Sequence, residues 1–394
     1  MITRRHFLAN SSLLSLSPIV PSLLMNSANA AEQESDSRIL VVIQLDGGND
    51  GLNTVVPVSN DLYAKNRVDT RITASDAHKL NDDSSLHSSM KAAHSLFDDG
   101  RLSIVQGVGY PNPDRSHFRS MRIWQTTSFD DANHSGYGWL GRALDTSRRP
   151  GSDASAVYVG TGTTPVALWA RRANTLALSD EADLHLRVPR GFDSIEDSPK
   201  GIASIEQFVS RSVLSAYSTA GELSQRKTES SSVEYPDSKL ASQLKLVSQL
   251  IRSDISTRVY YATHGGFDTH ADQRFTHSQL LREFSSAVKA FLDELKSHQL
   301  DDRVLVLAFS EFGRRVKENA SKGTDHGTAG PVFVAGSSVQ SGLIGTSPDL
   351  SDLDDGDIKS QFDFRQLYAT ILDDWLNIPS ENILGHSFER LPIL

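Results

Sequence analysis

RILVVIQLDGGNDGLN, residues 38–53, is the stretch from which the fold of this chain can be deduced. Its first eight residues are apolar almost throughout rather than alternating, which is typical of a strand buried on both faces of a parallel sheet. Asp46 ends this run, and Gly47 and Gly48 let the backbone turn sharply and approach a ligand. Asp46 is therefore either the cap of a tight turn or a carboxylate ligand for a metal ion.

Further strands and helices follow the same pattern along the chain. Two amphipathic patterns, at 276–297 and 363–378, predict helices. Strands alternating with helices predict a doubly wound α/β fold, with a mainly parallel sheet and helices on both faces. Residues 180–240 contain prolines and a polar run, and predict a mostly helical insertion rather than a second domain. The remaining predicted strands are RLSIVQGV (101–108), SAVYVG (155–160), RVYYAT (258–263), RVLVLAF (303–309) and PVFVAG (331–336).

The first 30 residues have the character of a cleaved signal peptide. Arg4 and Arg5 precede a modestly apolar run, and small residues up to Ala30 suit signal peptidase. The paired arginines favour twin-arginine export over an ordinary secretory signal, and Pro18 and Pro21 oppose a membrane span. We therefore expect passage through the twin-arginine translocase to a periplasmic or secreted location.

The composition excludes several classes of function. The chain has 394 residues with a net charge of −10, so nucleic acid and anionic membranes are poor partners. It contains no cysteine, which excludes disulfides, thiol nucleophiles and Cys-ligated metal sites. A metal ion here would have to be held by His, Asp and Glu.

Polar side chains follow four of the predicted strands. In an open α/β sheet, ligands bind at the carboxyl ends of the strands, so these side chains are expected at one edge. The first strand delivers Asp46, and the others deliver Asp114, Arg115, Ser116 and His117, then His264, Asp268 and His270, then Ser310 and Glu311.

Ser116 stands at the start of a predicted helix and is either a helix cap or a nucleophile. As a nucleophile, its hydroxyl would need a base or a metal ion for activation. Arg115 and Arg119 beside it suit a phosphate or sulfate group. Arg314 likewise either pairs with Glu311 or is held for the substrate anion.

The chain offers several ligands for a divalent metal. Asp268 and His270 lie in one short segment, Glu311 ends a strand, and GTDHGTAG (323–330) supplies Asp325 and His326. Oxygen and nitrogen ligands of this kind suit zinc, another first-row metal or an alkaline-earth ion. His264 is either a further metal ligand or a structural residue.

Six segments in order resemble the twin-arginine-exported family of domain of unknown function 1501. The order of the polar residues also resembles the alkaline phosphatase and sulfatase superfamily. That order is a strand-end Asp, a serine at a helix start, an Asp-and-His segment, a strand-end acid and a glycine-flanked His before a strand. This resemblance implies an alkaline-phosphatase-like fold in one domain, residues 31–394. The six segments are LDGGNDGLNTVVP, SHFRSMRIWQT, GWLGRAL, GGFDTHADQ, FSEFGRRVKENASKGTDHGTAGPVFVAG and DFRQLYATILDDWL.

The superfamily resemblance also implies roles for individual residues. Ser116 matches the nucleophile, and the matching metal ligands are Asp46, Asp268, His270, Glu311 and His326. Phe312 is a departure, because it stands where these phosphatases usually have a histidine. Asp325 or water fills that place, or one metal ion binds instead of two, or the site is degenerate.

Two functional hypotheses follow. The first is an exported, metal-dependent hydrolase of phosphate or sulfate esters, small or polymeric, with Ser116 transiently carrying the anion. The second is a non-catalytic exported protein that keeps the fold with a degenerate or structural metal site.

Overall fold

The computed structural model describes residues 38–130, 136–147, 154–180, 183 and 231–394. Nine strands of this described part form a central sheet, in the order β13-β5-β12-β9-β1-β8-β6-β7, with β16 also beside β5. These strands are β1 (Ile39–Asp46), β5 (Leu102–Gly109), β6 (Ala156–Val159), β7 (Thr175–Leu178), β8 (Val259–Gly265), β9 (Val304–Phe309), β12 (Gly330–Ala335), β13 (Gly342–Ile344) and β16 (Phe362–Asp363).

The sheet is mainly parallel, as the apolar runs predict. Every described pair in it is parallel except the two pairs made by β12. Because β5 and β9 are both antiparallel to β12, they run in the same direction as β1 and β8. The carboxyl ends of β1, β5, β8 and β9 therefore lie at one edge, with Asp46 opposite Gly265 in the register.

Helices cover both faces of the sheet, which confirms the predicted layering. One apolar core packs α3, α6 and α7 against the sheet, and the other packs α4, α5 and α8 against the opposite face. A π-helical segment, Ile371–Trp375, continues α8. The helices are α1 (Gly51–Thr54), α2 (Asp61–Asn66), α3 (Lys91–Asp98), α4 (His117–Thr126), α5 (Trp139–Thr146), α6 (Lys239–Arg252), α7 (Gln273–Ser297), α8 (Phe364–Thr370) and α9 (Ser380–Leu384).

The sequence patterns locate six of the nine strands in the described central sheet but only three of the nine described helices, α4, α7 and α8. The predicted helix 276–297 lies within α7, and 363–378 contains α8 and the π-helical segment. Helix α6 and strand β7 were not predicted. Most of the predicted insertion and the whole predicted signal peptide lie outside the described residues.

Three small sheets stand apart from the central one. Strands β2 (Val55–Val56), β4 (Ser85–His87) and β3 (Ala77–Lys79) form the first, and β14 (Leu353–Asp354) pairs with β15 (Asp357–Ile358). The hairpin of β10 (Arg314–Glu318) and β11 (Thr324–His326) places Arg314 opposite His326 at the strand-end edge. Within the described ranges, none of the helices has the length and apolarity that a membrane crossing requires.

Candidate metal centre

The loop after β1 brings three segments into close contact. Gly47 has a φ of +119°, and a Cβ there would lie 2.4 Å from the backbone nitrogen of Asp268. Gly48 has a φ of +80°, and a Cβ there would lie 2.4 Å from the ring of Phe312. Since only glycine combines this backbone conformation with so close an approach, the two glycines of LDGGND allow the segments after β8 and β9 to meet at Asp46.

The carboxylate of Asp268 lies at the centre of a cluster of nitrogen atoms. Its Oδ1 is 2.6 Å from Nη2 of Arg314 and 3.0 Å from Nε2 of His270. The Nε2 atoms of His326 and His117 lie 3.2 Å and 3.4 Å from the same oxygen. We call His117, Asp268, His270 and His326 the metal cluster. Three of its members, His117, Asp268 and His326, have ligand atoms within 4.8 Å of one another.

His117 has one occupied and one unoccupied ring nitrogen. Its Nδ1 lies 2.7 Å from Oε1 of Glu311, an acceptor that fixes the proton on Nδ1. The other nitrogen, Nε2, is buried and has no hydrogen-bond partner among the described residues, because Asp268 lies near it outside hydrogen-bond geometry. In metal sites, a ligating histidine commonly donates from one ring nitrogen to a carboxylate, which orients the other nitrogen toward the metal ion. His117 has this arrangement.

His326 and His270 are oriented in the same way. Nδ1 of His326 donates to the carbonyl oxygen of Arg115 at 2.7 Å, and Nδ1 of His270 donates to Oδ1 of Asp325 at 3.2 Å. The two Nε2 atoms then face each other at 2.9 Å, and neither has a proton to give unless one ring is charged. Asn319 donates to Asp325 at 3.0 Å and fixes that carboxylate.

The electrostatics of the cluster differ between its members, and the hydrogen bond to Glu311 raises the pKa of His117. Burial lowers the pKa of His326, which keeps the ring neutral near neutral pH. Burial alone would raise the pKa of Asp268, but the hydrogen bond from Arg314 and the positive charge of that guanidinium outweigh it and lower the pKa to about 2. Neutral imidazoles and an ionised carboxylate fit zinc or another first-row divalent metal.

Glu311 lies behind the cluster instead of in it. The side chain is fully buried, and Oε1 accepts from the backbone nitrogen of Gly47 at 3.0 Å as well as from His117. Ser310 donates to Oε2 at 3.0 Å. Both oxygens thus have partners in the protein, and Glu311 contacts the Nδ1 side of His117; its direct ligation of a metal ion stays a prediction.

The predicted substrate arginines are engaged elsewhere. Arg314 is fully buried and donates to the carbonyl oxygens of Gly47, Gly48 and Thr324 in addition to Asp268. Arg115 pairs with the carboxylate of Asp357 on β15 and with that of Asp355 in the turn before it. Arg119 lies 3.3 Å from the carboxylate of Asp114. Arg314 therefore ties the glycine loop to Asp268, and Arg115 contributes its carbonyl oxygen to His326.

Two further predicted residues have distinct surroundings. Ser116 precedes α4 and is exposed, and its hydroxyl makes no capping bond to that helix. His264 is buried, and its Nε2 lies 3.0 Å from the carbonyl oxygen of Leu280, which supports the structural reading.

Phe312, the position at which the superfamily resemblance implies a histidine, packs beside the cluster. Its buried ring lies 5.0 Å from the ring of His117 and 4.9 Å from that of His326, measured between centroids. An apolar ring at this distance from both imidazoles provides no ligand atom. The described donor set therefore suits one metal ion better than two.

A cavity of about 710 Å³ adjoins the cluster. Asp46, His117 and Asp268 line one end of it, and α4 and the 3₁₀ turn Val166–Leu168 contribute most of the rest. Burial raises the pKa of Asp46, and the nearby charge of Glu311 adds to this effect. The full lining is Asp46, Gly47, His117, Phe118, Met121, Arg122, Gln125, Thr126, Gly136, Val166, Trp169, Gly266 and Asp268.

Comparison with protein families identifies a single family over most of the chain. The model described as "Protein of unknown function (DUF1501)" matches residues 37–386. The chain belongs to this family. A comparison with curated protein sequences gave no match.

Several solved structures are similar to this DUF1501 protein at low sequence identity. A sulfatase, PsFucS1 from Pseudoalteromonas sp., is 11% identical with a TM-score of 0.42, over 95% of this chain and 74% of that one. The C-terminal periplasmic domain of EcEptC from Escherichia coli, in complex with Zn, is 9% identical with a TM-score of 0.37, over 76% and 73%. A protein in the alkaline phosphatase superfamily from Vibrio parahaemolyticus is 8% identical with a TM-score of 0.37, over 79% and 63%. At these values the similarity carries no argument about activity.

His117 is the member of the metal cluster that the sequence did not single out. It directly follows Ser116, whose position at the helix start suits either a cap or a nucleophile. A signal was present, since His117 is the first residue of a helix that follows a buried strand of the DUF1501 chain. The orienting carboxylate, Glu311, is 194 residues away and cannot be paired with it from spacing.

Proposed function

We propose that this DUF1501 protein is an exported, metal-dependent hydrolase of phosphate or sulfate esters. The observation that carries the proposal is the buried Nε2 of His117, which has no hydrogen-bond partner and faces Asp268 beside an open cavity. A buried polar atom without a partner is costly, and a ligand that binds to it offsets that cost.

His117, Asp268 and His326 would hold the metal ion, with His270 as a fourth ligand and Asp46 facing the same space from the cavity wall. A divalent ion bound there would act as a Lewis acid toward an ester oxygen. Glu311 and Asp325 orient two of the histidines, and Arg314 orients Asp268. The apolar ring of Phe312 beside the cluster provides no ligand atom, which favours one bound ion over two.

We further propose Ser116 as the nucleophile. It directly precedes His117, it is exposed, and its hydroxyl makes no bond to cap α4. In this proposal the hydroxyl oxygen attacks the phosphorus or sulfur atom, and its proton passes to the departing ester oxygen, which leaves as the alcohol. Water then cleaves the serine ester, which restores the hydroxyl and releases the anion.

Export by the twin-arginine route is part of the same proposal, and it rests on Arg4 and Arg5 alone. Replacing both arginines with lysine should keep the precursor in the cytoplasm of the native host. Fractionation and immunoblotting measure this, and undiminished export of the variant contradicts the twin-arginine route.

The alternative is a non-catalytic protein that keeps the fold and a structural metal ion, and the apolar Phe312 beside the cluster favours it.

Elemental analysis and hydrolysis of 4-nitrophenyl phosphate and 4-nitrophenyl sulfate distinguish the hydrolase from the non-catalytic protein. The hydrolase predicts that His117→Gln loses both metal and activity, whereas Ser116→Ala keeps the metal and loses activity. His386→Gln, at an exposed histidine outside the cavity, is the matched control and should change neither. Metal binding without hydrolysis of either ester supports the non-catalytic protein.

A further inference from the structure

The cavity beside the metal cluster has a wall of apolar side chains. Phe118 and Trp169 line it and are 91% and 49% exposed, and Met121 and Val166 line it as well. Such exposure is unfavourable for large apolar side chains, and grouped apolar exposure marks a binding surface. Phe118 directly follows His117 on α4, which places this wall next to the cluster.

The wall is held in place before any ligand arrives. Trp169 donates from Nε1 to the carbonyl oxygen of Thr164 at 3.0 Å, and the backbone nitrogen of Val166 donates to Oε1 of Gln125 at 3.0 Å. Helix α5 packs so tightly behind it that a Cβ on Gly141 would lie 2.0 Å from the carbonyl oxygen of Trp169. A rigid wall binds a ligand without the cost of ordering it.

The two uncharged polar side chains of the described lining, Gln125 and Thr126, have little capacity left for a polar ligand. Gln125 donates to Gln44 and accepts from Val166, so both ends of its amide have partners. Thr126 donates to the carbonyl oxygen of Arg122 and accepts from the backbone nitrogen of Ser128. A sugar would bury several hydroxyl groups here without partners, which is costly.

Arg122 provides a positive charge in the same cavity. It is the one cationic side chain in the described lining, and no ion pair within the described residues involves it. It lies five residues after His117 on α4, about 7.5 Å along the helix axis at 1.5 Å per residue. A guanidinium group at this distance suits an anionic group bound beside the cluster.

We propose that the cavity selects phosphate or sulfate esters of aryl and other apolar alcohols, with the apolar group on Phe118 and Trp169 and the anion on Arg122. This inference rests on the proposed function for the identity of the reacting group. It adds the class of leaving group, and it disfavours sugar esters as substrates.

Binding of non-hydrolysable anions tests the selection separately from catalysis. The probes are phenylphosphonate against methylphosphonate, and benzenesulfonate against methanesulfonate, added to metal-loaded protein. The half-exposed Trp169 provides a fluorescence signal that Trp169→Phe should remove, and calorimetry gives the dissociation constants. We expect the phenyl compound to bind about tenfold more tightly than the methyl compound in at least one pair.

Matched variants assign this preference to individual residues. Phe118→Ala should bring the phenyl-to-methyl ratio close to one, whereas Phe275→Ala, at a phenylalanine that is 77% exposed on α7, should leave it unchanged. Arg122→Gln should weaken both members of a pair by about tenfold and keep their ratio, while the exposed Arg282→Gln serves as its control.

The results distinguish this inference from the proposed function. Equal binding of phenyl and methyl compounds in both pairs overturns the inference, even if 4-nitrophenyl esters are hydrolysed. An equal effect of Phe275→Ala and Phe118→Ala also overturns it. Selective phenyl binding without hydrolysis of either 4-nitrophenyl ester supports the inference and contradicts the hydrolase.

Discussion

Asp46 and Asp50 lie four residues apart in the same loop and have opposite surroundings. The carboxylate of Asp46 faces the cavity and, among the described residues, accepts one hydrogen bond, from Nε2 of Gln44 at 3.2 Å. Asp50 is fully buried and accepts from Arg67 at 2.6 and 3.1 Å, and also from Gln273. Burial raises the pKa of Asp46. Burial would also raise that of Asp50, but the adjacent Arg67 outweighs it and lowers the pKa.

The residues around Asp50 form what we call the buried network: Asn49, Asp50, Arg67, Gln273 and His277. In it, His277 lies 3.0 Å from Oδ1 of Asn49, and Arg67 also donates to the carbonyl oxygens of Arg315 and Val316. The metal cluster on the other side of the loop leaves a buried nitrogen of His117 without a partner. One loop thus carries a buried ion pair on one side and a group of candidate metal ligands on the other.

Asp268→Asn should have the largest effect, on activity. The change keeps the shape of the side chain but removes the charge that a divalent ion needs. We expect loss of bound metal and a fall in hydrolysis of 4-nitrophenyl esters of at least about 10³-fold. Stability should fall by only about 1 kcal/mol, because the carboxylate is 49% exposed and Arg314 keeps its carbonyl acceptors.

Elemental analysis, initial rates and urea unfolding measure these effects on one preparation. Full metal occupancy in Asp268→Asn would remove this residue from the ligand set. A loss of stability as large as that of the next variant would show that the metal cluster also supports the fold.

Asp50→Asn is the matched change in the buried network and should act on stability instead. It leaves the charge of Arg67 buried without a carboxylate, and breaking a buried pair in this way costs about 3–5 kcal/mol. Bound metal per folded molecule should stay close to that of the unsubstituted protein. Chemical unfolding and elemental analysis check this, and an unchanged unfolding midpoint would contradict the role of the pair.

The sequence predicted the fold and part of the cluster for a shared physical reason. Runs such as ILVVIQL and VLVLAF are buried on both faces, and their carboxyl ends must share an edge in a parallel sheet. That argument placed Asp268 and His270 at the same edge as Asp46. The place of His326 and the missing histidine at Phe312 came from the superfamily resemblance instead.

The roles of Arg314, Arg115 and Glu311 could not be predicted in the same way. Each depends on which direction a long side chain takes after the chain has folded. Arg314 turns inward only because the hairpin β10–β11 carries it beneath the glycine loop, where carbonyl oxygens surround it. Glu311 turns toward Gly47 and His117, which are far away in the sequence.

The buried network should also make stability depend on pH. Burial lowers the pKa of His277 from an ordinary value of 6.5 to about 4. Between these two values the unfolded state binds more protons, so the free energy of unfolding falls as the pH falls through this window. The full contribution of His277 is on the order of 3 kcal/mol.

His277→Gln isolates this contribution from that of other titrating groups. The variant should lose less stability than the unsubstituted protein between pH 6.5 and pH 4, as measured by urea unfolding at several pH values. His87, whose pKa burial also lowers to about 4, is unchanged in both proteins and cancels in the comparison. Parallel pH curves for the two proteins would show that His277 is not buried in its neutral form.

Gly48→Ala should have the smallest effect, and it tests the residue that joins the two regions. A side chain at a φ of +80° costs about 1–2 kcal/mol, and its Cβ would press on the ring of Phe312 at 2.4 Å. That ring lies against both His117 and His326, so its displacement should lower metal affinity as well as stability. Because Phe312→Ala removes the ring, the double variant should lose less stability than the sum of the two single variants. A double-variant cycle by urea unfolding measures this coupling, and strictly additive losses would mean that Gly48 acts through its backbone alone.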